Sequence, residues 1–439
     1  MTTPEPTPQD PEQVLLSEAD LHPSVSQPLM DTMTFLNEIT LRYPDAISFA
    51  PGRPYEGDFD VADIAHLIDA YVGYLRQSGR SEEQIRTALF QYGETAGQIR
   101  ELVADMLRKD EEIDVPTESL VVTVGCQEAL LLVLRTLCSG PDDVLLVDSP
   151  CYVGVTGAAS LLDIPVAPVA STPYGVSRTA LRDTVERLTA QGRRPRALYI
   201  VPDCSNPTGA SMPTQDRVDL LETARSLGLL LLEDNPYGLF SSRRRPTLKA
   251  LDRRQQVIYL GSFAKTAFPG ARIGYVVADQ RVRKTDGTGL LADEIAKVKS
   301  MVTVNTPSVS QAAVAGLLVT EGGSLRRRNE TAARHYQDTM RRVRNTLAHE
   351  FPPAQRSALG VHWNDPDGGF FLTVDVPFPA DESALRTSAQ EYGVMWTPMR
   401  FFHLDGSGDR QMRLSCSYVT TAEAETGATR LARFIKESV

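Results

Sequence analysis

The 439-residue chain has few of the residues that build covalent cross-links or metal sites. It contains five cysteines and six histidines, which are scattered along the chain without a Cys-x-x-Cys pair. An odd number of irregularly spaced cysteines fits a reducing compartment better than a disulfide framework. These observations predict neither a disulfide framework nor a metal site.

Long hydrophobic runs are also missing. The longest apolar runs, LGLLLL at 227–232 and ALLLVL at 129–134, are far short of the roughly 18 residues that a membrane helix needs. The amino terminus is rich in proline and acidic residues and lacks the basic start and apolar centre of a secretory signal. We therefore predict a cytoplasmic protein that does not cross a membrane.

A surplus of positive charge is absent as well. The chain has 45 Lys and Arg residues against 56 Asp and Glu residues, which gives a formal net charge of −11. Surfaces that bind nucleic acid are usually basic, and the short basic patches at 243–245 and 326–328 are typical of solvated surface. The charge balance predicts no nucleic-acid partner.

What the sequence does contain, from about residue 118 onward, is an alternation of short apolar runs and amphipathic helical patterns. The runs include SLVVTV, DVLLVDS, RALYIVP, LLLLED and VIYLG. Near-continuous apolar strands separated by helices indicate a mostly parallel sheet covered on both faces. After a long charged helical segment near 322–349, alternating strands and helices indicate a smaller unit. The predicted fold class is α/β, with a large domain around a mostly parallel sheet and a smaller α+β domain.

Ligands of open α/β sheets bind beyond the carboxyl ends of the strands, so the loops after the apolar runs are candidate sites. The first of these loops contains Gly125, Cys126 and Gln127, which open a helix after VVTV. The exposed backbone N–H groups at such a helix start can hold a phosphate. A plain helix start is the alternative interpretation.

Two further loops carry polar side chains at strand ends. Asn206 stands in SNPTG after LYIVP, and Asp234 ends the run LLLLED with Tyr237 three residues later. A carboxylate at the mouth of an apolar strand is costly unless it meets a cation, so Asp234 is a candidate charge partner for a ligand. Asn-Pro is also common in turns that have no role in a functional site.

The fourth loop, GSFAKTAFPGARIGY, carries Lys265 among small and apolar neighbours. Desolvation lowers the pKa of a lysine and leaves a nucleophilic amine that can form a Schiff base. A structural lysine paired with a carboxylate is an equally good interpretation of this stretch alone.

Together the four loops suit one ligand that has a phosphate, a ring nitrogen and an aldehyde, and pyridoxal 5′-phosphate has all three. In this interpretation Lys265 holds the aldehyde as a Schiff base and Asp234 keeps the pyridine nitrogen protonated. Asn206 and Tyr237 bond the ring hydroxyl. The phosphate ligands are Ser262, Arg272 and the amides of Gly125, Cys126 and Gln127.

A set of motifs in fixed order extends this interpretation over residues 45 to 435. The motifs are YGETAG, GCQEAL, SPCYVG, SNPTG, EDNPYG, SFAKTAFPGARIGY, GGFF and MRLSCSY. This ordered set resembles the class I/II aminotransferases, which are pyridoxal-phosphate enzymes of fold-type I. The resemblance implies the fold-type I architecture and a pyridoxal 5′-phosphate cofactor.

The resemblance also implies roles that local chemistry does not supply. Tyr152 matches the aromatic residue that stacks on the pyridine ring, and Arg413 matches the arginine that binds the substrate α-carboxylate. Tyr92 matches a tyrosine that the neighbouring subunit lends to the phosphate, which implies a homodimer with shared active sites. Gly52 and Arg53 match the loop that closes over substrate, and Arg53 as a solvated loop charge is the alternative.

The implied domain organisation has four segments. Residues 1–44 form an N-terminal arm, and residues 45–90 form the first part of the small domain together with the substrate loop. Residues 91–330 form the large cofactor-binding domain, and residues 331–439 form the C-terminal small domain.

The expected function is that of an aminotransferase. An amino acid displaces Lys265, which then acts as general base at the α-carbon, and the amino group passes to a 2-oxo acid. Removal of the α-proton leaves a quinonoid carbanion. This carbanion can also start elimination or replacement at the β- or γ-carbon, decarboxylation and carbon–carbon bond formation, for instance on S-adenosylmethionine or a specialised-metabolism intermediate. A lyase or bond-forming enzyme is therefore the alternative. A cofactor-sensing regulator would need a DNA-binding domain ahead of the fold, and the arm is too short and too acidic for one.

Two stretches depart from the family pattern. TPMRFFHL at 397–404 places Arg400 and His403 beside two phenylalanines near the expected substrate mouth. Arg400 is a candidate contact for a larger or more anionic substrate, with packing or solvation as the alternative. Cys126 and Cys204 stand where relatives often carry other small residues, and both are interpreted as small space-filling hydrophobes.

Overall fold

The computed structural model describes residues 16–439, and the elements are numbered along the chain. The helices are α1 (Pro28–Arg42), α2 (Asp63–Gln77), α3 (Glu82–Phe90), α4 (Arg100–Glu111), α5 (Gly125–Leu137), α6 (Val153–Leu161), α7 (Arg178–Ala190), α8 (Thr214–Ser226), α9 (Leu248–Leu251), α10 (Phe263–Thr266), α11 (Leu291–Val302), α12 (Ser308–Thr320), α13 (Arg326–Glu350), α14 (Pro353–Leu359), α15 (Glu382–Glu391) and α16 (Thr421–Glu437). The strands are β1 (Ile47–Ser48), β2 (Leu120–Thr123), β3 (Asp143–Ser149), β4 (Val166–Thr172), β5 (Gly175–Val176), β6 (Arg194–Ile200), β7 (Leu230–Asp234), β8 (Val257–Ser262), β9 (Gly274–Val277), β10 (Arg281–Lys284), β11 (Gly287–Leu290), β12 (His362–Trp363), β13 (Phe371–Asp375), β14 (Val394–Met395), β15 (Thr397–Pro398) and β16 (Gln411–Ser415).

The large domain is built on an eight-stranded sheet with the order β2-β9-β8-β7-β6-β3-β4-β5. The pairs β4-β3, β3-β6, β6-β7 and β7-β8 are parallel, whereas β9 runs antiparallel to β2 and β8, and β5 to β4. The central strands are apolar along their length because both faces of the sheet are covered. The mostly parallel sheet predicted from the alternation of strands and helices is confirmed.

The small domain surrounds a four-stranded antiparallel sheet with the order β12-β13-β16-β15. Helices α13 and α16 pack together beside it. Its core contains the fully buried Trp396, whose indole N–H donates to Ser388 Oγ at 3.1 Å. The short strand β1 joins this domain from the amino-terminal side by pairing with β14 in parallel.

The described residues of the first two predicted segments, residues 1–44 and 45–90, pack against both domains. Residues 16–44 include the helix α1, and residues 1–15 lie outside the described residues. Within 45–90 the strand β1 pairs with the small domain, whereas α2 packs against α12 of the large domain. A Cβ added at Gly316 would lie 1.7 Å from the Leu67 carbonyl oxygen. This glycine lets the two helices approach closely, and the contact draws α2 to the large domain.

The carboxyl ends of β6, β7 and β8 meet at one edge of the large sheet. Asn206 lies in the loop after β6, Asp234 ends β7, and Lys265 lies on the short helix that follows β8. On β7 the preceding Glu233 faces away, and its carboxylate accepts hydrogen bonds from the backbone N–H groups of Leu248 and Lys249, each at 2.7 Å. Adjacent carboxylates on one strand therefore serve opposite faces of the sheet.

Helices long and apolar enough to cross a bilayer are absent from residues 16–439.

Candidate active site

A cavity of about 310 Å³ lies at the edge where β6, β7 and β8 end, between the two domains. Its walls bring together twelve of the residues singled out in the sequence. These residues are Gly52, Arg53, Cys126, Gln127, Tyr152, Asn206, Asp234, Tyr237, Ser262, Lys265, Arg272 and Arg413. The remaining wall includes the apolar residues Val153 and Phe402 and the hydroxyl-bearing Tyr199.

Lys265 projects into this cavity. Its Nζ donates a hydrogen bond to the backbone carbonyl oxygen of Gly52 at 2.7 Å. Burial, followed by the positive charges of Arg272 and Arg413, lowers the pKa of the amine from 10.5 to about 8, and the Asp234 carboxylate acts in the opposite direction. A substantial fraction of the amine is therefore neutral and nucleophilic near physiological pH.

Asp234 is a buried carboxylate with only 4% of its surface exposed. Tyr199 donates its hydroxyl to Oδ2 at 2.7 Å, and Cys126 donates its thiol to Oδ1 at 3.4 Å. Burial raises the pKa of Asp234 to about 6, while the two donors and the charge of Lys265 pull it down. An acceptor of this kind suits a cationic ring N–H group of a ligand.

An anion-binding corner lies at the start of α5. Gly125 has φ +70°, and a Cβ there would lie 2.4 Å from Arg272 Nη2, so the absence of a side chain lets the guanidinium reach the helix start. Arg272 itself adopts a left-handed conformation with φ +52°. The first N–H groups of a helix and a guanidinium together favour a phosphate. Ser262 adds a hydroxyl to the same cavity wall.

Arg413 enters the cavity from strand β16 of the small domain. Its Nη1 donates to Asn206 Oδ1 at 2.8 Å, and its Nη2 donates to the Ala50 carbonyl oxygen at 2.6 Å. The guanidinium lies over the rings of Phe371 and Phe402, at 4.6 and 4.9 Å from their centroids. Burial lowers its pKa to about 10, and its buried Nε has no partner within residues 16–439. A buried cation of this kind favours an anionic ligand.

Tyr237 and Tyr152 supply the aromatic surfaces of the cavity. Tyr237 is buried and meets the rings of Phe370 and Phe371 edge-on, with centroids 5.1 and 5.5 Å apart. Tyr152 lies at the start of α6, where a Cβ on Gly154 would approach its ring to 2.3 Å. Burial raises the pKa values of both hydroxyls, which therefore remain hydrogen-bond donors.

The segment that contains Gly52 and Arg53 forms one side of the cavity and is tied at several points. Ser417 donates its hydroxyl to the Arg53 carbonyl oxygen at 2.6 Å, and the Tyr55 N–H donates to the hydroxyl oxygen of Tyr336 at 3.2 Å. A Cβ at Gly52 would lie 2.9 Å from the ring of Phe371. The close approach of this loop to Lys265 therefore depends on glycine at position 52.

Two predicted side chains do not line this cavity. Tyr92 is 83% exposed. Arg400 is also exposed, and its Nε lies 3.7 Å from Asp409 Oδ1 on the surface. The predicted substrate contact of Arg400 stays a prediction; in this structure the turn after β15 directs its side chain to solvent, whereas the neighbouring Phe402 is buried. His403 hydrogen-bonds Ser407 at 2.7 Å outside the cavity.

Sequence reasoning missed Tyr199, Phe402 and the second role of Cys126. Tyr199 lies on β6 and pairs with Leu232 of β7, two residues before Asp234. The sequence could have indicated Tyr199, because it is a hydroxyl-bearing residue near the end of an apolar strand. Cys126 was interpreted as a space-filling residue, yet its thiol contacts a carboxylate. Gln127 donates to the Gly154 carbonyl oxygen at 2.7 Å.

Groups of His, Cys, Asp and Glu arranged to hold a metal were not found among residues 16–439.

Comparisons with known proteins agree with this geometry. The family profile "Aminotransferase class I and II" matches residues 71–431. The chain is 49% identical to the (S)-3,5-dihydroxyphenylglycine transaminase of Amycolatopsis orientalis over 96% of this chain and 94% of that protein. It is 29% identical to the aromatic-amino-acid aminotransferase 1 of Thermococcus litoralis over 90% of this chain and 89% of that protein.

A solved structure extends the agreement to the fold. The α-aminoadipate aminotransferase of Thermus thermophilus superposes with a TM-score of 0.77 at 28% identity, and the match covers 96% of this chain and 99% of that one. These relatives support transamination over the lyase, bond-forming and regulatory alternatives. The chain belongs to the class I and II aminotransferases and is a pyridoxal-phosphate-dependent transferase of fold-type I.

Proposed function

We propose that the chain transfers the amino group between an arylglycine, an amino acid whose aromatic ring is attached directly to the α-carbon, and a 2-oxo acid. The observation that carries this proposal is the pairing of a nucleophilic Lys265 with a buried Arg413 in one cavity whose adjoining wall is apolar and aromatic. The 49% identity to a dihydroxyphenylglycine transaminase supports the choice of substrate class.

The residues of the cavity fit pyridoxal 5′-phosphate at three points. The close approach of Arg272 to Gly125, which any Cβ would block, provides a seat for the phosphate together with Ser262 and the first amides of α5. The buried carboxylate of Asp234 suits the protonated ring nitrogen. Lys265 supplies the amine that links to the aldehyde.

The neighbouring side chains complete this binding site. Asn206 and Tyr237 would bond the ring hydroxyl, and Tyr152 would stack on the ring, since all three side chains line the cavity. Asn206 is held by Arg413, and Tyr237 is held by the edges of Phe370 and Phe371. These contacts fix the two donors before any ligand binds, which reduces the entropy that binding costs.

When bound, pyridoxal phosphate supplies the carbon that receives the amino group and a protonated ring that withdraws electrons from the substrate α-carbon. Lys265 Nζ would remove the proton from the substrate α-carbon and hold it for return. A pKa of about 8 suits this exchange, because a general base works best when its pKa lies close to the working pH. The Gly52 carbonyl, 2.7 Å from Nζ, orients the amine.

Arg413 binds the α-carboxylate of the substrate. Its place between Phe371 and Phe402 removes water from the guanidinium and strengthens a bidentate contact. The ring of an arylglycine then lies against the apolar wall that includes Val153 and Phe402. Because the ring of an arylglycine is attached directly to the α-carbon, binding of the α-carboxylate by Arg413 would also fix where the ring lies.

The charges of the cavity leave one cation, Arg53, for a substrate with a second carboxylate. Its lining cations are Arg53, Lys265, Arg272 and Arg413, and three of them have roles in binding the cofactor or the α-carboxylate. Arg53 is the remaining candidate partner for a distal carboxylate, since Arg400 faces solvent beside Asp409. An α-aminoadipate-like substrate is therefore the second choice.

A substrate panel tests the proposal. The full-length enzyme with cofactor is incubated with (S)-phenylglycine, (S)-3,5-dihydroxyphenylglycine, L-phenylalanine or L-2-aminoadipate, with 2-oxoglutarate as acceptor, and the 2-oxo acid products are measured. We expect kcat/KM for the arylglycines to exceed that for 2-aminoadipate by at least about tenfold. A preference for 2-aminoadipate, or release of carbon dioxide without amino transfer, would contradict the proposal. Lys265→Ala is the inactive control.

The active enzyme is a homodimer in which Tyr92 reaches the phosphate of the partner subunit. Support comes from exposed apolar side chains: Phe90, two residues before Tyr92, is 80% exposed, and Met301 on α11 is 86% exposed. Burial of such side chains between two subunits is favourable, and a twofold axis makes the exchange of Tyr92 reciprocal. The cytoplasmic location stays a prediction.

A further inference from the structure

Both oxygens of the Asp234 carboxylate accept hydrogen bonds from neighbouring side chains. Tyr199 reaches Oδ2 from β6 at 2.7 Å, and Cys126 reaches Oδ1 from the first turn of α5 at 3.4 Å. Asp234 and Tyr199 are almost fully buried, with 4% and 1% of their surfaces exposed. The two donors approach from different elements, so the position of the carboxylate is fixed by the fold rather than by its own strand alone.

The protonation state of Asp234 decides what the carboxyl group can do. An ionised carboxylate has about four acceptor sites on its two oxygens, whereas a protonated carboxyl presents a donor. Burial favours the protonated form, and hydrogen bonds donated to the oxygens favour the ionised form. With one donor on each oxygen, acceptor sites remain for a ring N–H group in the cavity.

Neither Tyr199 nor Cys126 loses its proton and becomes only an acceptor near neutral pH. Burial beside Asp234 raises the pKa values of the Tyr199 hydroxyl and the Cys126 thiol far above their ordinary values. Both groups therefore stay protonated and donate near neutral pH. For Cys126 this excludes a thiolate nucleophile, because the reactive form of cysteine is the anion.

We propose that Tyr199 and Cys126 are positioning residues that hold Asp234 as an oriented, ionised acceptor for the ring nitrogen of pyridoxal phosphate. This inference rests on the proposed role of Asp234. The two residues contribute unequally, because an O–H donor at 2.7 Å to a carboxylate is strong and a thiol is a weak donor. Tyr199 is the main support and Cys126 the lesser one.

The test compares two ligands that differ only at the ring nitrogen. The full-length chain, freed of cofactor, is titrated with pyridoxal phosphate and with the analogue in which a C–H group replaces that nitrogen, and both dissociation constants are measured by fluorescence. The preference for pyridoxal phosphate is the ratio of the two constants. A structural defect weakens both ligands equally and leaves the ratio unchanged.

Tyr199→Phe keeps the buried ring and removes the hydroxyl. We expect it to lower the preference for pyridoxal phosphate about tenfold, as the loss of one hydrogen bond to a charged group predicts. Cys126→Ala should lower the preference about twofold, and Cys126→Ser, which restores a donor, should return it to the wild-type value. Tyr71→Phe and Cys416→Ala remove a buried hydroxyl and a buried thiol elsewhere in the chain, and both should keep the wild-type ratio.

Two outcomes overturn different parts of the argument. If Tyr199→Phe weakens both ligands by the same factor, the hydroxyl has only a structural role and the inference is wrong. Asp234→Asn tests the underlying assignment, since it should abolish the preference. A wild-type preference in Asp234→Asn would show that Asp234 is not the partner of the ring nitrogen, and the proposed cofactor contact would fail independently of Tyr199.

Discussion

The Arg413 guanidinium donates a hydrogen bond to the Asn206 side-chain oxygen at 2.8 Å, and this contact joins the sheet of the small domain to the loop after β6. The same guanidinium reaches the Ala50 carbonyl oxygen at 2.6 Å. Arg413 is only 3% exposed, and its acceptors here are neutral oxygens rather than carboxylates. A buried guanidinium bonded to neutral acceptors is suited to a negatively charged ligand.

Replacement of Arg413 by lysine should therefore weaken substrate binding despite the retained charge. Lysine lacks the planar fork that binds a carboxylate through two bonds. We expect kcat/KM for the amino donor to fall by about 100-fold, which corresponds to roughly 3 kcal/mol. Cofactor affinity should change little, and it serves as the internal control. An unchanged kcat/KM would show that the α-carboxylate binds elsewhere.

Lys265→Ala should remove the covalent link to the cofactor and the general base together. The absorbance band of the lysine-linked cofactor should disappear, and kcat should fall by at least about 10³-fold. Spectra of the purified variant with added pyridoxal phosphate measure the first effect. Lys249→Ala is the matched control for loss of a buried lysine, since Lys249 pairs with Asp279 at 2.6 Å away from the cavity. A surviving band in Lys265→Ala would overturn the assignment.

The pH dependence of cofactor attachment should follow the Lys265 amine. Only the neutral amine attacks an aldehyde, and the pKa of this amine is lowered to about 8 in the folded chain. The attachment rate should rise about tenfold per pH unit below pH 8 and level off above it. Stopped-flow absorbance of the cofactor-free protein measures the rate. A rise that continued to pH 10 would indicate an ordinary exposed lysine.

The same shift has a defined effect on folding. Because the folded pKa of Lys265 lies below the unfolded value of 10.5, the folded state binds its proton less tightly than the unfolded state. The amine therefore destabilises the cofactor-free fold below pH 8, and this cost is relieved as the pH rises from 8 to 10.5. Lys265→Met should remove that part of the pH dependence in denaturation experiments.

The proposed homodimer with shared active sites predicts complementation between two inactive variants. Tyr92→Ala should weaken the cofactor phosphate site, and Lys265→Ala should abolish catalysis. Mixed dimers have one site with both residues intact, so a mixture should recover about a quarter of wild-type activity after subunit exchange. The two variants assayed separately give the baseline. No recovery, with mixed dimers verified by mass spectrometry, would argue that Tyr92 serves its own subunit.

The contact of α2 with α12 predicts a large stability effect from one methyl group. A Cβ at Gly316 would lie 1.7 Å from the Leu67 carbonyl oxygen, so Gly316→Ala must separate the helices. We expect the free energy of unfolding to fall by at least about 2 kcal/mol. Gly157→Ala on α6 meets open space and should raise stability by about 0.5 kcal/mol. Equal effects of the two substitutions in thermal unfolding would contradict this packing.

Features set by local sequence could be predicted, whereas features set by packing could not. The apolar runs predicted the parallel strands. Residues at or after the ends of these strands, such as Asn206, Asp234 and Lys265, line the cavity. Parallel strands bring their carboxyl ends to one edge whatever the details of packing. For this reason distant loops could be assigned to one site from their positions alone.

The positions of the Tyr199 and Arg400 side chains could not be predicted from the sequence. The contact of Tyr199 with Asp234 depends on the register of β6 against β7, which residue types do not reveal. Arg400 was expected at the substrate mouth because of its neighbours in sequence, but the turn after β15 buries Phe402 and exposes Arg400. The placement of α2 likewise depends on one helix contact at Gly316 rather than on a local pattern.

The two acidic residues that end β7, Glu233 and Asp234, make the proposed role of Asp234 depend on strand register. Glu233 secures the backbone at Leu248 and Lys249 on one side of the sheet, while Asp234 faces the cavity on the other. A shift of this strand by one residue would exchange the two side chains and move every leucine to the opposite face. A chain folded with that error would lose both the Glu233 contacts with the backbone and the Asp234 carboxylate in the cavity. Binding of the cofactor would therefore show that the centre of the sheet has assembled correctly.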